Sequence, residues 1–268
     1  MSEPFVINET NLSVAWGRVL LRVLDNPGTS VSPLVVSLNG FTDGDIKEDA
    51  EVRHALDEML TGQGDQTTQT VANTIFPASV WRLAKYDRKT FFDLYLEDGY
   101  PSYKEICSSK NNRGLYFQRL IGYGRGPHDG NQLEYIITEF KSRRGVRTSM
   151  FQAAIFDPGV DHVRSAQLGF PCLQHVSFVP EGTNLVMNAF YATQKLLNKA
   201  YGNYLGLWRL GNFMAREMEL EFTRMNVFVG VENFDMKGVG KTSPVLAPLE
   251  AAVRAAVQRA DSAQMVSV

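Results

Sequence analysis

Apolar side chains recur on one helical face between residues 11 and 24, at Leu12, Trp16, Val19, Leu20 and Val23. That spacing predicts an amphipathic helix capped by Asn11 or Ser13 and broken at Asn26-Pro27-Gly28. Residues 32–40, SPLVVSLNG, read as a strand closed by Asn39-Gly40. Lys47 to Leu60 has helical periodicity and stops at Gly62-Gln63-Gly64-Asp65. The polar and aromatic stretch from Ala84 to Arg113, with its Asp98-Gly99-Tyr100-Pro101 turn, reads as irregular and surface-facing.

A second amphipathic helix is predicted over Asn131–Lys141, with Leu133, Ile136, Ile137 and Phe140 inward. Thr148–Phe156 fits a buried strand. Leu173–Val179 and Asn184–Ala192 fit two antiparallel strands joined at Pro180-Glu181-Gly182. Asn203–Leu220 is a long helix, Met225–Val231 a strand and Pro248–Arg259 a closing helix. Helices and strands interleave without a regular strand–helix beat, which argues for an α+β fold rather than a doubly wound sheet. The expectation is one domain over residues 1–268.

Composition adds limits. The 268 residues are 44% hydrophobic, enough for a sizeable core. Net charge is −2 and the pI near 6.1. A chain so balanced has no global pull toward a nucleic-acid polymer or an anionic membrane, so phosphate recognition must be local. No secretory signal and no apolar run of membrane-spanning length is visible, so a cytoplasmic location is expected. Cys107 and Cys172 form neither a disulfide scaffold nor a metal-type pair, and no metal site is expected.

Candidate chemistry centres on Gly169-Phe170-Pro171-Cys172-Leu173-Gln174, a cysteine directly after a proline at the start of an apolar strand. An isolated cysteine among apolar residues is commonly inert core; a reactive one needs cations or hydrogen-bond donors to stabilise its thiolate. Arg164 and the group Arg143, Arg144 and Arg147 are the nearest basic residues in sequence.

The order of features around Cys172 resembles the thymidylate synthase and pyrimidine hydroxymethylase family. Gln63-Gly64-Asp65 is followed by Asn73-Thr74-Ile75-Phe76, then Tyr116 and Gln118, then Asn131-Gln132. Arg143, Arg144 and Arg147, Phe156-Asp157-Pro158 and Pro171-Cys172 come next, and Asn203 lies 31 residues beyond Cys172. The resemblance covers about residues 12–235. It implies a bent mixed sheet packed with helices and a homodimer built sheet to sheet. It further implies a one-carbon transfer, methyl or hydroxymethyl, to C5 of a pyrimidine nucleotide, with 5,10-methylenetetrahydrofolate as cofactor. Cys172 matches the nucleophile that adds to C6. Asn203 matches the amide that reads the ring, with a donor for O4 and an acceptor for N3–H, though an asparagine at a helix start is equally a cap. Asp57, with Glu58 beside it, falls where the family keeps a general acid/base glutamate, on what is otherwise an ordinary solvated face. Arg143, Arg144 and Arg147 match the phosphate ligands contributed across a dimer, or form a solvated loop. Gln174 joins the substrate set, and Phe76 and Trp81 stand where family aromatics wall the cofactor.

Departures are as informative. The family's phosphate-binding Arg falls on Ala192, the following Ser on Thr193 and the pterin-orienting Asp on Lys195. Asn26-Pro27-Gly28-Thr29 replaces an Arg-containing phosphate segment, and Val231-Glu232-Asn233-Phe234-Asp235 replaces the ribose-binding one. A desolvated phosphate without bidentate arginines loses strong charge-assisted bonds. Three readings follow: a C1-transferase with re-sited phosphate ligands, one acting on a different pyrimidine-like acceptor, or a binding or regulatory protein that kept the fold and lost the reaction.

Overall fold

The computed structural model describes residues 3–41, 45–106, 113–164 and 169–266. Cys107 lies outside them. A seven-stranded mixed sheet is the frame, in the order β1-β3-β7-β6-β5-β4 with β2 pairing β7. The strands are β1 (Phe5–Glu9), β2 (Ser30–Val31), β3 (Leu34–Asn39), β4 (Gln152–Ala154), β5 (Leu173–Glu181), β6 (Asn184–Lys195) and β7 (Glu221–Asn233). β5 and β6 form the expected antiparallel pair, while β6 and β7 run parallel. β1, parallel to β3, had no counterpart in the periodicity because it is only five residues long.

Helices cover one face of this sheet. α1 (Leu12–Leu24) is capped by Asn11, whose side chain accepts from the Val14 N–H, and it buries Leu12, Trp16, Val19, Leu20 and Val23 as the spacing predicts. α2 (Ala50–Gly62) begins three residues later than expected because Asp49 caps it. α3 (Thr68–Ile75) and α4 (Ala78–Leu83) follow.

The part of the Ala84–Arg113 stretch that the structure describes up to residue 106, read from sequence as irregular, is largely helical; residues 107–112 lie outside the described residues. It contains α5 (Arg88–Leu94), a π-helical turn (Tyr95–Gly99) and α6 (Tyr100–Ile106). Its aromatics face inward: Phe91 and Tyr95 are fully buried. Phe91 lies 5.4 Å from Phe76 and 5.1 Å from Phe117 between ring centroids. A polar-looking segment is held by a few large rings, whose burial outweighs its turn residues.

α7 (Tyr116–Ile121), α8 (Gln132–Ser142, capped by Asn131) and α9 (Pro158–Asp161) bring the chain to β5. α10 (Tyr201–Met218) is continuous with a π-helical turn over Leu196–Ala200, so Asn203 sits inside a helical run and does not cap it. Gly202 and Gly206 let α10 cross α3 closely. A Cβ at Gly202 would fall 2.6 Å from the Thr68 carbonyl oxygen, and one at Gly206 2.7 Å from that of Ala72. α11 (Ala247–Val266) packs on α1 and α2. Among the described residues no helix is long and apolar enough to cross a membrane.

Candidate functional site

Cys172 sits at the entrance to β5, and its backbone is pinned from three directions. Its carbonyl accepts the Ala192 N–H at 3.1 Å, the Gln174 side-chain amide donates to the Pro171 carbonyl at 2.8 Å, and Phe170 packs on Phe156 with ring centroids 5.4 Å apart. Gln174 is the extra residue of a bulge: Leu173 pairs with Tyr191, but His175 already pairs with Phe190. Bulges re-aim side chains next to sites, and this one turns the Cys172 end of β5.

The thiol is half-buried. Burial pushes it above its ordinary value, while the charges of Lys195 and Lys199 pull the other way. Tyr116 and Tyr191 also lie within electrostatic reach of it. The cations whose charge acts on the Cys172 thiol are Lys195, at the end of β6, and Lys199, in the π-helical turn. Lys195 is ion-paired with Asp235 at 2.9 Å, and Lys199 donates to Gln66 at 3.1 Å.

Behind the thiol lies a buried polar layer. Along β6 the inward beat runs Leu185, Met187, Ala189, Tyr191 and then Gln194; along β7 it runs Met225, Val227, Val229 and then Glu232. Both strands slip by one residue at the same level, so the pairing of Tyr191 with Val229 and of Gln194 with Glu232 stays in register. Gly230 permits the approach, since a Cβ there would lie 2.6 Å from the Ala192 carbonyl oxygen. Glu232 is fully buried and Gln194 is 2% exposed. Both carboxyl oxygens of Glu232, both polar atoms of the Gln194 amide and the hydroxyls of Tyr191 and Tyr204 are buried without a hydrogen-bond partner. Each such group costs about 1–3 kcal/mol. Burial raises Glu232 well above the ordinary 4.5 of a glutamate. Tyr191 pairs with Leu173, the neighbour of Cys172, and burial together with the charges of Tyr116, Tyr204, Cys172 and Glu232 pushes its hydroxyl well above the ordinary value of 10.

The residues expected from sequence are spread more widely. Asn203, 4% exposed, lies on α10 next to Tyr204. Asp57 is engaged elsewhere: its carboxylate accepts from the Thr68 N–H at 2.7 Å and the Thr68 hydroxyl at 3.1 Å, holding the start of α3. Glu58 is exposed. Arg143 pairs with Glu139 at 3.0 Å, and Arg144 and Arg147 are exposed in the loop after α8. Phe76 packs on Phe213 at 5.5 Å, and Trp81 on Phe213 at 5.1 Å and under the Arg216 guanidinium, so both belong to the aromatic core. Among the described residues no contact joins Cys172 to Asn203, Asp57 or the three arginines. No cluster of three or more His, Cys, Asp or Glu side chains there could hold a metal.

A cleft of about 630 Å³ opens on the outer side, lined by Tyr100, Arg113, Gln118, Tyr123, Arg125 and Asp157 among others. Its floor is Arg119, 6% exposed, which makes a two-pronged bond to Asp161 at 2.7 and 2.8 Å and donates to the carbonyls of Ile155 and Arg113. This knot ties α7, which carries Tyr116, to the segment leading to Cys172.

Comparison with known proteins adds one distant sequence likeness. No protein-family profile matches the chain. Over 164 residues, 60% of this chain and 72% of the other, it is 25% identical to a "Putative thymidylate synthase" of Methanocaldococcus jannaschii. The chain is similar to a thymidylate synthase, at a distance. The resemblance carried by the ordered motifs is thus found again by direct comparison. The polar layer of Gln194, Glu232, Tyr191 and Tyr204 was not foreseen. Strict alternation from Met225 turns Glu232 outward, and the only sequence signal was an acid closing an otherwise apolar run.

Proposed function

We propose that this chain is a divergent thymidylate synthase-like C1-transferase that activates C5 of a uracil-type pyrimidine through a Cys172 adduct at C6. The observation that carries the reading is the setting of Cys172, at a bulged strand entrance between two lysines and a layer of buried hydroxyl, amide and carboxyl groups. A thiolate there adds to C6, the C5–C6 π electrons move toward the carbonyl at C4, and C5 becomes nucleophilic. Lys195 and Lys199 favour the thiolate against the burial that opposes it. Asn203 offers an amide of matching donor and acceptor pattern for the ring.

The one-carbon donor implied by the likeness is 5,10-methylenetetrahydrofolate. The residues matched to its site do not fit it in this conformation. Phe76 and Trp81 are 3% and 8% exposed in the aromatic core, and Lys195, paired with Asp235, stands where a carboxylate is expected. The pyrimidine half of the reaction rests on this chain's own residues.

Phosphate recognition is re-sited in this reading, onto Arg143, Arg144 and Arg147 of a partner subunit or onto Lys195 and Lys199. Calorimetric titration with dUMP, UMP, dCMP and the free nucleosides tests it. The expected result is dUMP binding about 30-fold or more tighter than deoxyuridine, since a desolvated charge-assisted pair contributes roughly 2–5 kcal/mol. Loss of that margin in Arg147→Ala points to ligands across a dimer, and loss in Lys199→Ala to ligands within the chain. Equal binding of nucleoside and nucleotide would move the acceptor to another pyrimidine-like molecule.

A homodimer belongs to the same proposal. The sheet face away from the helices carries Phe190 and Phe228, each 40% exposed and stacked at 5.4 Å. Beside them runs a hydrogen-bonded row, Asn226 to Asn188 at 2.9 Å and Asn188 to Ser177 at 3.2 Å. An apolar sheet face needs a second cover. Light scattering at micromolar concentration is expected to give twice the chain mass, and Phe228→Asp to give the monomer. A monomeric wild type would contradict the dimer.

A further inference from the structure

We propose that Glu232, paired across the sheet with Gln194, is the acid–base carboxyl of the Cys172 site and exchanges a proton with the bound ring through water shared with the Gln194 amide and the hydroxyls of Tyr191 and Tyr204. The proposal deepens the reading of Cys172 as nucleophile and rests on it. Four observations converge. Gln194 and Glu232 are direct partners in the parallel ladder, turned inward by a slip common to both strands. Neither oxygen of Glu232 and neither polar atom of the Gln194 amide has a hydrogen-bond partner. Tyr204 on α10 and Tyr191 on β6 each bury an unpartnered hydroxyl. Tyr191 pairs across the β5–β6 ladder with Leu173, the neighbour of Cys172.

A buried carboxyl with no ion pair is stable only with its proton on. Its ladder partners are Gln194 of β6 and Val31 of β2, Tyr191 and Tyr204 are the titratable groups its charge reaches, and no charged side chain shifts it. When the Cys172 thiolate bonds to C6 and electron density reaches O4, a bridging water gives a proton to O4 and takes one from Glu232, which is left as carboxylate. Solvent then protonates C5 as the O4 proton returns to Glu232. Loss of the original C5 hydron to solvent, with O4 protonated again, re-forms the enol, and expulsion of the thiolate returns the O4 proton to Glu232 and restores the ring. Glu232 acts through that water and touches no reacting atom. Asp57, fastened to Thr68, is thereby relieved of the acid/base task.

The test compares wild type with Glu232→Gln, which keeps shape and polarity but carries no exchangeable acid, and with Glu232→Met. Tritium release from C5-tritiated dUMP, alkylation of Cys172 by iodoacetamide, thermal melting from pH 4 to 9 and the infrared carbonyl stretch of a protonated carboxyl are read on each. Removing a general acid is expected to slow tritium release about 100-fold or more in both variants. The alkylation rate at neutral pH should be unchanged and neither variant should melt below wild type. Since the folded-state pKa is raised, the carboxyl's contribution to stability is full below its ordinary 4.5 and lost as pH rises. The melting point of wild type should therefore fall relative to both variants as pH climbs. A protonated-carboxyl band at pH 7, present in wild type and absent from Glu232→Gln, completes the expected result. Wild-type rates in Glu232→Gln, or an ionised Glu232 at pH 7, would overturn the proposal alone. A wild type that releases no tritium would overturn the Cys172 reading and this proposal with it.

Discussion

Asp161→Ala should destabilise the protein by about 3–5 kcal/mol, more than any other single exchange considered for this chain. Asp161 is 1% exposed and its two oxygens meet the Arg119 guanidinium at 2.7 and 2.8 Å. Removing it leaves a buried cation whose remaining hydrogen bonds go to the carbonyls of Arg113 and Ile155. Urea unfolding followed by fluorescence measures the loss, and a change below about 1 kcal/mol would show the pair to be solvated. Burial acts to raise the Asp161 pKa, but the Arg119 hydrogen bond, the Asp157 N–H and the Arg119 charge together bring it below the ordinary 3.8. This group's stabilisation is present above pH 3.8 and drains away as pH falls through the lower folded-state value. Asp161→Asn should remove that acid-side slope while retaining part of the geometry.

The second large effect is chemical. Cys172→Ser is expected to lower C5 tritium release by about 10³-fold or more, because a serine hydroxyl at this site has neither the acidity nor the nucleophilicity of the thiol. The melting temperature should stay nearly unchanged, since the two side chains are close in volume and Cys172 is only half-buried. Activity equal to wild type in that variant would remove Cys172 from the reaction. Loss of folding would instead show that its packing matters more than its half-buried setting implies.

These expectations differ in how far the chain announced them. α1 and the β5–β6 pair were legible because their apolar beats are long, in elements of 13, 9 and 12 residues, with the breaks confined to Gln174 and to the stretch beyond Tyr191. α5 and α6 were not, because each is 7 residues long and carries only a few inward rings among polar neighbours. Cys172 was singled out in the sequence by the order of motifs around it, and the proposed chemistry takes it up at the bulged entrance to β5. Glu232 was hidden by the shared slip of β6 and β7: alternation is a local rule, and the slip is set by two strands moving together with Gly230 making room. The lysines whose charge acts on Cys172 were equally hidden, since Lys195 ends the interior strand β6 and Lys199 lies in a π-helical turn, both more than 20 residues from Cys172 in sequence.

The most direct measurement is tritium release from C5-tritiated pyrimidine nucleotides by the wild-type protein, with and without 5,10-methylenetetrahydrofolate. It reads addition of the thiol to C6 independently of the product that follows. The account predicts release from dUMP in the absence of folate, abolished by Cys172→Ser, and greater release from dUMP than from dCMP. No release from any uracil- or cytosine-type nucleotide or nucleoside, with folate or without, would contradict it and leave a protein that keeps the fold without the reaction.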